Sequence, residues 1–203
     1  MAAQRRIETA NKRFDAATTE SRNSSGYVRH KCFISYHAED AEEVADFVDS
    51  FQDVFIPRAI GVEEDDGSII DSTDVDYIRD VIRTNYLRDS TVTIVLVGRC
   101  TWARRFVDWE IYASLRDGKL ARHNGLLGIL LPSASSPVAQ APARLIDNVP
   151  SKDGSSAYGR YRYYPESNRD LRNYIEDAFQ ARTLRYESVD NSRQLRQRNS
   201  SCS

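Results

Sequence analysis

TVTIVLVG, residues 91–98, is a near-continuous apolar run rich in β-branched side chains. A run without hydrophobic alternation fits a strand of a parallel sheet, whose faces are both covered by helices, and it is expected at the centre of that sheet. Upstream, KCFISYH (31–37) is a second short strand, followed by the acidic, helix-favouring AEDAEEVADFVDSFQD. In that helix Val44, Phe47, Val48 and Phe51 fall at helical spacing, and Asp40 and Glu42 lie near the positive end of its dipole. VFIP (54–57) is a further strand, and the acidic AIGVEEDDGSIIDSTD after it reads as a long loop. Ser72 or Thr73 caps a predicted helix over DVDYIRDVIRTNYL, with Val75, Ile78, Val81, Ile82 and Leu87 on its apolar face.

Downstream, ARRFVDWEIYASLRDGK (103–119) is helical and stops at Gly118. GLLGILLP (125–132) is a fourth strand ended by Pro132. The proline- and serine-rich segment 133–156 reads as a surface excursion, and RYRYY (160–164) as a fifth, edge-type strand. A last amphipathic helix spans 168–183, with Leu171, Tyr174, Ile175, Ala178 and Phe179 on one side. Strands alternating with helices predict an α/β fold: a doubly wound, mainly parallel five-stranded sheet of flavodoxin-like order, flanked by helices. Ligands of such sheets sit at the carboxyl ends of the strands near the switch point, which directs attention to the loops after FISYH, VFIP and TIVLVG. The expected organisation is a polar extension over 1–28, one domain over 29–184, and a flexible basic tail over 185–203.

Bulk properties exclude several classes. The 28 basic and 30 acidic residues are interleaved and leave a formal charge of −2, so nucleic acid is disfavoured as a partner. The longest apolar stretches are far short of the roughly 20 residues needed to span a bilayer, and the amino terminus lacks a signal-peptide core; a cytoplasmic protein without a membrane span is expected. Cys32, Cys100 and Cys202 are an odd set without CxxC spacing, which argues against a disulfide framework or structural zinc; Cys32 and Cys100 read as small hydrophobes at strands. No GxGxxG, GxxxxGK[ST] or GxSxG motif occurs, and His30, His37 and His123 show no metal-ligand spacing, so no bound metal is expected.

Two places carry polar groups suited to chemistry. Ser35, Tyr36 and His37 end the first strand and offer a hydroxyl, a phenol and an imidazole to a ribose, phosphate or ring; on residue types alone, however, capping of the next helix by Ser35 and Asp40 is favoured. Phe106 and Glu110, four residues apart, share a helical face and put an aromatic beside a carboxylate. Alternatively Glu110 is a solvated residue paired with Arg104, Arg105 or Arg116, and spacing leaves both readings open. Trp109 reads as core or a domain contact, while Trp102 suits either the mouth of a site or apolar anchoring.

The segments HKCFISYHAEDAEEV, DYIRDVIRTNYLRDSTVTIVLVGRCTWARRFVDWEIYASLRDG, GLLGILLP and ARLIDN resemble the TIR-like proteins of bacterial Thoeris antiphage systems over most of residues 30–150. The resemblance implies a flavodoxin-like TIR fold and an enzyme that cleaves NAD as its substrate, with no separate cofactor. In enzymatic TIR domains a WxxxE pattern supplies the catalytic glutamate. Here Phe106-Val107-Asp108-Trp109-Glu110 aligns with it, so Glu110 matches and the first aromatic is Phe. The resemblance places Ser35, Tyr36 and His37, with Phe106, at the substrate pocket. It makes the loop from about Arg58 to Ser72 the mobile loop after the second strand. The implied product is a cyclic ADP-ribose-type messenger acting on a separate nucleotide-sensing effector, in response to a phage-derived trigger, with homo-oligomerisation compatible. The rival reading is a non-catalytic TIR-like module that binds a nucleotide or assembles with like domains. A flavodoxin-like response domain fits less well, because no phosphoacceptor-type acidic cluster and lysine stand at strand ends.

Overall fold

The computed structural model describes residues 28–59, 82, 87, 89–116, 123–134, 141–150 and 157–202. The expected extension over 1–28 lies almost wholly outside them. So do most of the acidic loop and most of the helix expected over 74–87, of which Ile82 and Leu87 are described and buried.

Five parallel strands form one sheet: β1 (Lys31–Ser35), β2 (Ile56–Ala59), β3 (Val92–Val97), β4 (Gly125–Leu130) and β5 (Arg160–Arg162), in the order β2-β1-β3-β4-β5. This is the flavodoxin-like order expected, and it puts the switch point between β1 and β3, where Ser35 stands beside Val95. β3 is central and buried along its whole length, as its unbroken apolar run requires. β5 is the edge strand, and its partly exposed residues carry alternating arginine and tyrosine.

Side-chain alternation divides the core. Cys32, Ile34, Ile94, Leu96, Leu127 and Ile129 face α1 (Ala41–Ser50) and the carboxyl-terminal helix, which bring Val44, Phe47, Leu171 and Ile175. The opposite face, with Val95, Val97, Leu126 and Leu130, is covered by α2 (Arg105–Ser114) and the short helix α3 (Ala143–Asp147) through Val107, Ile111 and Leu145. The carboxyl-terminal helix, α4 (Asn168–Leu184), starts at Ser167, whose hydroxyl accepts the Asp170 amide. A Cβ at Gly125 would come within 2.0 Å of the Ala178 carbonyl oxygen, so glycine is what allows α4 to lie on β4. Gly125→Ala is expected to lower stability by about 1–3 kcal/mol, read as a fall in Tm.

Three expectations are corrected. The excursion over 133–156 contains α3, in which Arg144 and Leu145 are fully buried. Residues 185–202 are not a loose tail. After a turn at Tyr186–Ser188 they run back along α2, and Cys202 is bonded to Cys100. The sequence argued against that disulfide because the cysteine count is odd; the odd one is Cys32, a buried thiol whose pKa burial pushes up.

Candidate active site

Ser35 is the last residue of β1 and, with Phe33, points to the α2 side of the sheet. Its hydroxyl donates to Glu110 Oε2 at 2.6 Å. Glu110 is 3% exposed, so it is no solvated surface residue. Two of the three arginines proposed as its partners are engaged elsewhere: the Arg105 guanidinium lies over the Trp109 ring and that of Arg116 over Tyr112. The capping role for Ser35 and Asp40 is also overturned, since Asp40 occupies the N-cap of α1 without a side-chain capping bond.

Below Glu110 a buried polar chain fixes the helix to the sheet. The Ser114 hydroxyl donates to the Glu110 carbonyl (2.8 Å) and shares a 2.7 Å hydrogen bond with Thr93 on β3. Asn124 donates to the Thr93 hydroxyl at 3.1 Å, and the Tyr158 hydroxyl donates to the Asn124 carbonyl. These groups are satisfied by one another, which lets polar side chains sit under α2 without the desolvation cost of orphans.

Above Ser35, Tyr36 and His37 are both buried. Burial first, and the Glu110 charge second, raise the Tyr36 pKa, so the phenol remains a neutral donor at physiological pH. Asp40 leans across the end of β3. Thr101 donates to its Oδ2 at 3.2 Å, and a Cβ on Gly98 would fall 2.2 Å from the same oxygen. Desolvation raises the Asp40 pKa from 3.8 to about 6, against the lowering effects of His37 and Thr101. A carboxyl raised in the folded state favours folding while it is protonated. That stability is present in full below pH 3.8 and is lost as pH rises through about 6. Tm measured between pH 4 and 7 is therefore expected to fall relative to that of Asp40→Asn, which lacks this titration.

Phe106 is half-buried and packs against the cluster of Phe33, Trp109 and Tyr112, its ring 6.2 Å from that of Trp109. Trp109 is core, as read from the sequence. Trp102 lines a cavity of about 680 Å³ with Arg104, Asp108, Pro142, Asp147 and Arg193, on the other side of α2 from Ser35. Sequence reasoning missed the pair at its edge. The Arg144 guanidinium is fully buried and donates to both Asp108 oxygens, at 3.0 and 3.3 Å. The one signal was an arginine inside ARLIDN, a run otherwise suited to burial.

Among the described residues no helix is long and apolar enough to cross a membrane. No curated protein matches the chain. The family model described as "Thoeris protein ThsB, TIR-like domain" matches residues 33–136, from β1 through β4, a span that holds Ser35, Tyr36, His37, Phe106 and Glu110. With its five-stranded parallel sheet in TIR order and more than half of its length matched, the chain belongs to the Thoeris TIR-like family of antiphage defence.

Proposed function

We propose that this chain cleaves the nicotinamide–ribose bond of NAD, with Glu110 as the working carboxylate, and releases a cyclic ADP-ribose-type signal for a separate effector. The observation that supports this most is the buried Glu110 carboxylate, hydrogen-bonded to Ser35 where the strand order reverses. Nicotinamide is a cationic pyridinium while bonded to the ribose and departs as a neutral molecule, taking the bonding electrons, so departure needs no general acid. The barrier lies in the oxocarbenium-like ribose, and a carboxylate in a desolvated setting stabilises that charge far better than one in water. Ribose hydroxyls entering the site donate to Glu110 as the Ser35 hydroxyl does. Tyr36 supplies a neutral phenol, His37 an imidazole, and Phe106, one turn before Glu110, a ring for packing.

Exclusion of water favours capture of the ribose centre by the adenine end of the same molecule and a cyclic product; admission of water gives ADP-ribose. The test is mass spectrometry of small molecules from phage-infected cells expressing the chain. A product with the mass of NAD less nicotinamide, absent from cells carrying Glu110→Gln, is expected. Unchanged NAD with no such product in infected cells that are protected against phage would overturn the reading.

A further inference from the structure

We propose that Cys100–Cys202 is a redox-modification site that fastens the carboxyl-terminal strap, residues 189–202, to the helix bearing Glu110, and that a dithiol reductant releases it. The strap lies antiparallel along a single face of α2. Asn191 donates to the Tyr112 carbonyl, the Arg196 amide donates to Asp108, Trp109 Nε1 donates to the Arg196 carbonyl, and the Arg105 amide donates to Asn199 Oδ1. Positions 105, 108, 109 and 112 recur every three or four residues, one stripe of the helix, whereas Glu110 turns inward to β1. Beyond the amino end of α2 the Ser200 amide donates to the Ala103 carbonyl at 2.9 Å, and Cys202 then reaches Cys100. Asn199 thus occupies the place of a helix cap, since Arg104, the N-cap residue, makes no side-chain capping bond.

Elsewhere the strap is held by polar contacts: Arg144 donates to Asn191 and to the Gln194 carbonyl, Asn148 and Asp190 exchange two hydrogen bonds, and Arg193 pairs with both Asp147 oxygens. Leu195 is its one well-buried apolar residue, with Val189 half-buried at its start. Fixing one residue's backbone costs about as much as one such hydrogen bond yields, so polar bonds by themselves hold the strap only marginally. Closure by a covalent bond changes the balance, because the strap's end is then never free to diffuse away.

The two sulfurs are unequally accessible. Cys100 is 8% exposed, while Cys202 is half-buried at the surface, and the third cysteine, Cys32, is fully enclosed. A thiolate of a dithiol therefore attacks the Cys202 sulfur, forming a mixed disulfide and expelling the Cys100 sulfur as a thiolate. The dithiol's second thiol then closes its own disulfide and expels Cys202. Two electrons pass from the dithiol to the protein, and its two protons end on Cys100 and Cys202. Release uncaps α2 and removes one wall of the 680 Å³ cavity, which Asp190, Ser192, Arg193, Gln194 and Arg196 of the strap help to line.

The inference is independent of the reaction proposed for Glu110, and its test reads structure. Hydrogen exchange by mass spectrometry is followed on the full chain in three forms: oxidised, reduced with dithiothreitol, and Cys202→Ser. Expected is at least tenfold faster exchange of the Arg196 and Ser200 amides in the reduced and Cys202→Ser forms, with β3 and α4 unchanged. Alkylation without denaturant is expected to label Cys100 and Cys202 only after reduction, and Cys32 in neither state. Equal protection of the strap in all three forms, or ready alkylation of Cys100 and Cys202 before any reduction, would overturn the proposal.

Discussion

Glu110→Gln is expected to reduce NAD consumption by the triggered protein about 100- to 1000-fold while leaving its Tm unchanged or higher. The glutamine keeps the shape of the side chain, and its Oε1 can still accept the Ser35 hydroxyl that now donates at 2.6 Å. The negative charge is lost at a position 3% exposed, where it acts on a nearby cation with little screening. The two readouts should therefore part company, because a charge held in a desolvated place serves the reaction and adds nothing to folding that an amide cannot replace. The check is chromatographic measurement of NAD loss by purified wild type and variant, alongside thermal unfolding. Equal rates of NAD loss would sink the role given to Glu110; a fall in Tm matching the loss of activity would recast it as structural.

The second large effect is expected at Arg144. Arg144→Met removes both bonds to Asp108 together with those to Asn191 and the Gln194 carbonyl. It leaves the Asp108 carboxylate inside the protein with only the Arg196 amide among these donors. Orphaning one member of a buried ion pair costs about 3–5 kcal/mol, which for a domain near 200 residues is a Tm lower by about 10 °C. The paired change Arg144→Met with Asp108→Leu is expected to recover part of that loss, since no buried charge then lacks its partner. A single-variant loss below about 1 kcal/mol would mean that the pair behaves as a surface salt bridge and that α3 is not anchored through it.

What the sequence made legible follows from how each element is held. β1, β3 and β4 are covered on both faces, so their apolar runs are unbroken and can be read directly. α1 and α4 each bury one stripe, and the periodicity of Val44, Phe47 and Val48, or of Leu171, Ile175 and Ala178, announces them. The strand order then places the end of β1 beside the end of β3, and that is where Ser35, Tyr36 and His37 stand. α3 and the strap carry no such pattern. α3 is five residues long in a proline-bearing segment and is fixed by one arginine, while the strap is fixed by polar bonds and a cross-link to a residue 102 positions away. Neither hydrogen-bond partners nor a long-range disulfide leaves a period in the sequence. The same limit applies to Ser35: its type fits a cap, and only the three-dimensional position of Glu110 shows where its hydroxyl goes.

The way Gly125 receives α4, and Asp108 receives Arg144, bears on where this protein can be cut. The span shared with the family ends at residue 136, whereas Arg144, Ala178 and the strap all lie beyond it. A fragment trimmed to the shared span would retain Glu110 and Ser35 but expose the β4 edge that β5 now covers, along with the apolar sheet face under α4. Such a fragment offers a flat hydrophobic edge to other copies of itself, a template for aggregation. Expression boundaries for this chain are therefore better set by the strap than by the family match.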